Sequence, residues 1–147
     1  MNRKHLFFLN FLLICLLSPS LLKAQEEVSW TTLMDISFKD IYLEGEDMYV
    51  YFPVFSQKQK VLDGRTVRVS GYMIPVDAEQ NMYVLSAYPF SACFFCGAAG
   101  PESVMAIYFR KGNRTYKTDE RVTLTGTLRL NETDVDELVY ILDDAKE

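Results

Sequence analysis

The sequence predicts an all-β fold: a small OB-like Greek-key barrel of about five strands, with a further strand ahead of it. Three observations predict it. Apolar and polar residues alternate with a period of two in Thr66–Ile74 and Val122–Leu130, the pattern of a strand with one buried face. Strand-like runs recur at short intervals between turn residues, and no long stretch has a helical period. Gly71 and Gly126 lie inside the first and fourth of the five runs that follow residue 65. A glycine within a strand marks a bend or bulge, which a small barrel needs in order to close.

Residues 1–24 are expected to be a secretory signal peptide. Arg3 and Lys4 precede an apolar run from Leu6 to Leu17, and Ala24 supplies a small residue at the cleavage point. The run falls short of the roughly 20 apolar residues that a spanning helix needs. Cys15 follows Ile14, not a small residue, so it is assigned to the removed segment and not to a lipid attachment. The mature chain, 25–147, is expected to be one domain without a transmembrane segment, periplasmic or secreted.

Glu26 to Asp47 has no clean period and is expected to pack Trp30 and Phe38 on the body. Met48–Phe55 is aromatic and β-branched, a strand with Pro53 at an edge or end. Ser56–Lys60 is polar and predicts a loop, with a turn at Asp63-Gly64. The five barrel strands are then Thr66–Ile74, ended by Pro75; Met82–Tyr88; Val104–Phe109; Val122–Leu130; and Leu138–Leu142. Arg110–Glu120 is a long polar connection with Gly112-Asn113, short for the helix often found at that place in an OB barrel. A generic β-sandwich therefore stays open. The acidic tail is expected to fray. Tyr49, Tyr51, Tyr72, Tyr83 and Tyr88 are expected to serve strand packing in preference to ligand stacking. The Asn113 and Asn131 sequons are taken as ordinary loop residues.

Composition excludes several function classes. Removal of residues 1–24 takes Arg3, Lys4 and Lys23, so Lys and Arg fall from 15 to 12 against 20 Asp and Glu, a net charge of −8. That acidity argues against nucleic acid, which needs a basic face. His5 is the single histidine of the sequence, so the mature chain has none. Ser-His-Asp and Cys-His catalytic pairs and histidine metal ligands are thereby excluded within it.

Two cysteines remain, in Cys93-Phe94-Phe95-Cys96-Gly97-Ala98-Ala99-Gly100-Pro101-Glu102-Ser103. Thiols at i and i+3 can point at one atom, so the pair suits a metal, a redox disulfide or a crosslink. A crosslink across so short a loop removes little chain entropy. A thioredoxin-like pair would open a helix in a βαβ context, and here a glycine-rich loop between strands follows. Zinc usually takes four ligands, whereas soft Cu(I) accepts two thiolates. Glu102 is the nearest further donor, with Asp77, water or a second chain as others. Pro101-Glu102-Ser103 can equally be a plain turn into the next strand.

The run Val69-Ser70-Gly71-Tyr72-Met73-Ile74-Pro75-Val76-Asp77, then Leu85 to Gly97, then Gly100-Pro101-Glu102-Ser103, resembles an uncharacterised exported Gram-negative bacterial domain-of-unknown-function family with an OB-like barrel. The resemblance spans roughly Trp30 to Leu142. In wider relatives the loop looks like Ala-Cys-x-His followed by prolines, so Cys93 matches that cysteine and Cys96 stands near the histidine. A Cys/His exchange suits a metal ligand better than a disulfide. Some relatives stand beside genes of metal-linked ABC transport systems, which implies an envelope or transport-system partner by association.

The expectation is thus an exported binding or accessory module, in preference to an enzyme. It binds zinc or copper through Cys93, Cys96 and Glu102 in envelope metal handling. The alternatives are a periplasmic thiol–disulfide redox protein and an OB-like protein-interaction domain without chemistry.

Overall fold

The computed structural model describes residues 25–45, 47–110 and 114–147. The signal-peptide expectation for 1–24, with His5 and Cys15, lies outside the described residues, as does the Gly112-Asn113 turn. In chain order the elements are β1 (Glu26–Glu27), α1 (Trp30–Leu33), β2 (Ser37–Leu43), β3 (Met48–Val54), α2 (Gln57–Lys60), β4 (Thr66–Asp77), β5 (Met82–Ser86), β6 (Val104–Phe109), β7 (Glu120–Leu130) and β8 (Tyr140–Lys146). β4 to β8 form a closed five-stranded barrel in the order β4-β5-β6-β8-β7, with β7 pairing back to β4. The pair β6–β8 is parallel and the other four are antiparallel. This is the Greek-key connectivity of an OB barrel. β1 adds a short parallel pairing to β4, and β2 and β3 form a separate antiparallel hairpin.

β4 is shared between both halves of the barrel. Thr66–Met73 pairs with β7, and Tyr72–Asp77 pairs with β5. At Gly71 the chains approach so closely that a Cβ would meet the Ser86 carbonyl oxygen at 2.6 Å and Leu85 Cγ at 2.9 Å. Gly126 is similar: a Cβ there would lie 2.7 Å from the Asp143 carbonyl oxygen, and the β7–β8 register shifts between Thr125 and Thr127. The alternation read from the sequence sets the faces. Val67, Val69, Met73, Leu124 and Leu128 are fully buried in the barrel, while Arg68 and Arg129 face solvent.

The N-terminal segment seals the barrel end where β4 begins and β7 finishes. Leu33, Phe55 and Leu62 join the core there, each burial contributing roughly 1.5–3 kcal/mol. The Tyr140 hydroxyl donates to the Leu33 carbonyl at 2.5 Å, and its ring lies 5.7 Å from Phe55. Trp30 Nε1 donates to the Ser70 carbonyl at 2.8 Å, so Trp30 packs on the body as expected, and Phe38 is partly buried against the same core.

Ser56–Lys60 departs from the expected loop. Ser56 caps α2, and Gln59 returns the bond through its side chain to the Ser56 backbone, a capping box. Gln59 is fully buried and its Nε2 donates to the Thr32 and Asp35 carbonyls at 2.6 and 3.2 Å. It thereby ties α2 to the end of α1.

Four other expectations are corrected. Pro75 does not end its strand; β4 continues to Asp77 across a register shift. The acidic tail is not frayed but forms β8, with Arg129 Nε 2.8 Å from Asp143. The polar connection before β7 carries buried Tyr116, stacked on Phe109 at 5.1 Å and edge-on to Tyr83, with the Arg114 guanidinium 4.2 Å over its ring. Among the five tyrosines, Tyr83 packs in the core and Tyr72 is half-buried, but Tyr49 and Tyr51 on the hairpin are 68% and 70% exposed and Tyr88 is exposed.

Two stability predictions follow from these contacts. Gly71→Ala should cost about 1–3 kcal/mol, since backbone and a core leucine would have to move. Gly45→Ala, with nothing within 4 Å of its Cβ, should leave the urea midpoint nearly unchanged; equal midpoints for the two variants would show that the β4–β5 approach is not tight. Tyr140→Phe should lower stability by about 1–3 kcal/mol, because the Leu33 carbonyl loses its buried donor. Denaturant unfolding followed by tryptophan fluorescence checks this directly, through Trp30.

Candidate functional site

Between β5 and β6 the chain makes a long excursion, residues 87–103, across the outer face of the barrel. Its neck is closed by the Ala87 N–H donating to the Ser103 carbonyl at 2.9 Å. Ser86 and Ser103, both fully buried, hold the two ends: Ser86 Oγ accepts from the Tyr88 N–H at 3.1 Å and Ser103 Oγ donates to the Gly100 carbonyl at 2.6 Å. Three single 3₁₀ turns, Phe90–Ala92, Phe94–Cys96 and Pro101–Ser103, shape what lies between. The Phe90 N–H donates to Asp119 Oδ1 at 2.6 Å, which pins the loop to the start of β7.

The Phe94–Cys96 turn brings the two thiols together. The Cys96 and Ala98 N–H groups both donate to the Cys93 carbonyl, at 3.2 and 3.3 Å. Gly97 follows with φ of +70°, a left-handed conformation that glycine adopts without a Cβ penalty. Both cysteines are free thiols, and their burial is unequal: Cys93 is buried and Cys96 exposed. Cys93 sits among Ile74, Val84 and Val104, one residue from each of β4, β5 and β6, with Phe94 and Leu138 packed around them. Cys96 Sγ donates to the Phe90 carbonyl within the loop at 2.9 Å. Desolvation against the loop raises the Cys96 thiol above its ordinary pKa, and the charge and hydrogen bond of the neighbouring Cys93 sulfur raise it further.

Glu102 lies in the Pro101–Ser103 turn, half-buried, and its carboxylate curls over Gly100. It faces a shallow groove with Met34, Tyr88, Ala98 and Ser103. Among the described residues no group of three or more His, Cys, Asp and Glu side chains is placed to hold a metal ion. Cys93 and Cys96 stand at the two ends of one 3₁₀ turn, and Glu102 lies further along the same loop. Asp77 instead accepts from the Glu79 and Gln80 N–H groups at 3.0 Å, an Asx-type turn.

Sequence reasoning did not find Ser86, Ser103 or Asp119 as the residues that fix the loop. The serines had a weak signal, as small polar residues at the ends of apolar strands. Asp119 had none, because its partner is 29 positions away.

Among the described residues no helix is long and apolar enough to cross a membrane. A family model described as "Protein of unknown function (DUF3299)" matches residues 24–146. No curated protein matches the chain. A DUF3299 family protein from Pseudomonas aeruginosa PAO1, known from a crystal structure at 2.45 Å resolution, matches with a TM-score of 0.52 and 14% identity, over 84% of this chain and 94% of that one. At that identity the likeness shows the fold alone.

The unequal burial of the thiols predicts stepwise reactivity. Under native conditions iodoacetamide should modify Cys96 and leave Cys93 intact until the protein is unfolded. Because the Cys96 thiol is raised, its thiolate fraction at pH 8 is below that of a free cysteine, whose pKa is about 8.5. Its alkylation should be slow there and rise as pH increases beyond that range. Equal rates for both cysteines, measured by peptide mass mapping, would contradict the buried placement of Cys93.

Proposed function

We propose, since the chain belongs to the DUF3299 family and membership carries no activity with it, a function taken from the loop itself: Cys93 and Cys96 bind a soft metal ion in an exported accessory protein of envelope metal handling. The observation that carries this reading is the pair of free thiols three residues apart at the two ends of one 3₁₀ turn, near enough for the Cys93 sulfur to act on the Cys96 thiol. A metal ion would take both as thiolates, displacing their protons.

The donor set favours copper(I). Two thiolates satisfy that ion without a further ligand. Zinc would need two more donors, which would have to come from Glu102 after a loop movement, from water, or from a second chain. The apolar cluster around Cys93 suits a soft, weakly hydrated ion and would shield the bound metal on one side. The raised thiol of Cys96 weighs against a thiol–disulfide exchange enzyme, whose attacking cysteine is activated by a lowered pKa. It does not weigh against a ligand, because coordination deprotonates a thiol outright. An enzyme has no further support in the loop, which places no general base beside a nucleophile. An envelope protein or transport component would deliver or receive the metal.

The test is anaerobic titration of the protein with a copper(I) chelate, and separately with zinc, followed by elemental analysis after gel filtration. About one copper per chain is expected, with the Cys96 thiol protected from alkylation until the metal is removed. Uptake should fall as pH is lowered, since protons compete for the same sulfurs. Cys93→Ser should abolish stoichiometric uptake while the circular-dichroism spectrum is kept. Unchanged uptake in that variant would sink the proposal.

A further inference from the structure

Next to the cysteine loop, across the outer face of β5 and β6, lies a groove of about 390 Å³. Met82, Val84, Phe95, Ala106, Tyr108 and Leu138 give it an apolar surface. Met82, Phe95 and Tyr108 are 50%, 47% and 49% exposed, so three large apolar side chains converge there on water. The groove's ends are the β4–β5 turn and the β7–β8 loop. In barrels of this connectivity, that face and those two loops are where ligands dock, and the volume is within the range of binding clefts.

The rim settles the class of ligand. Asp136 and Glu137 line one side of the groove. The Tyr108 hydroxyl donates to Glu137 Oε1 at 2.9 Å and holds that carboxylate at the edge of the apolar floor. Asp134 stands beside them, where its carboxylate accepts from the Asp136 N–H at 2.9 Å. A nucleic acid would be repelled by these charges. A second copy of the chain would bring the same carboxylates against them, and the whole chain is acidic at −5. A sugar would meet polar side chains at the ends and rim, Gln80, Asn81, Asp136 and Glu137, and not on the apolar floor; Gln80 is already bonded to Asp77 and the Tyr108 hydroxyl to Glu137.

We infer that this groove docks an extended peptide segment of a partner protein, in which apolar or aromatic side chains are flanked by lysine or arginine. The apolar side chains fill the floor between Met82, Phe95 and Tyr108, and the cations face Asp136 and Glu137. No cysteine sulfur takes part, so the site stands or falls independently of metal binding.

The experiment is selection of phage-displayed random dodecapeptides on the immobilised full chain, followed by fluorescence anisotropy with the selected peptide made synthetically. The expected consensus is apolar residues bracketed by Lys or Arg. Affinity should drop at least tenfold in Met82→Lys, an exposed position whose change should leave the fold intact by circular dichroism. It should drop several-fold in the double variant Asp136→Asn/Glu137→Gln and on raising salt from about 50 to 300 mM, where the screening length shortens. Cys96→Ser should bind the peptide as the parent does. The inference is overturned if no peptide is enriched above a blank surface, if the enriched peptides are acidic or uncharged, or if either groove variant binds undiminished. It is equally overturned if sedimentation shows a dimer that Met82→Lys dissociates, since the groove would then be occupied by a second copy.

Discussion

The close approach of β4 to β5 at Gly71 is the constraint on which the rest of the molecule depends. One strand has to serve both halves of the barrel, and it can do so only where it lies against the Ser86 carbonyl without a side chain in between. That approach lets β4 leave β7 and take up β5 within two residues, Tyr72 and Met73. It also places the end of β5 at a fixed point on the outer surface. Ser86 and Ser103 then close the neck of the cysteine loop there. Barrel closure thus sets where the loop starts and ends, and within it the apolar cluster around Cys93 and the bond from Cys96 to the Phe90 carbonyl place the two sulfurs.

Within that loop, neighbouring aromatic residues go to different places. Phe94 packs on the small apolar cluster that buries Cys93. Phe95 extends into the groove over β5 and β6, with the two rings 5.6 Å apart. The loop is therefore more than a carrier for two thiols. It completes the outer hydrophobic layer of β4, β5 and β6, a face that would otherwise leave Ile74, Val84 and Val104 open to water. Among the described residues every buried side-chain nitrogen and oxygen has a partner, so this cover is achieved without stranding a polar group.

The barrel was legible where a strand has one wet and one dry face. β4 and β7 announce themselves through Val67, Val69, Leu124 and Leu128, and the two strand glycines mark the places of closest approach. The features that carry no sequence pattern depend on partners far along the chain. Gln59 is a polar residue in a polar run, and only the carbonyls of Thr32 and Asp35 explain its burial. The Ser56–Gln59 spacing is a capping-box signature, which favours a helix start over the expected loop. Tyr116 looked like one aromatic residue in a hydrophilic connection, and its burial needs Phe109 and Tyr83. β2 has no fully buried residue, and Lys39-Asp40 interrupts its alternation, so a strand in a two-stranded sheet gave no period. The cysteine pair itself was evident from its spacing. The difference between its members was not, because it takes one side chain from each of three strands to bury Cys93.

The bond between Tyr140 and the Leu33 carbonyl spans 107 positions, joining α1 to β8. This has a kinetic consequence. The barrel end cannot be sealed before β8 is made, since Tyr140 bonds to the Leu33 carbonyl and packs on Phe55. Folding of such a topology is governed by distant pairings and is slow compared with that of local helical structures. A chain cut short before β8 would therefore lack both the last barrel pairings, to β6 and β7, and the seal over that end.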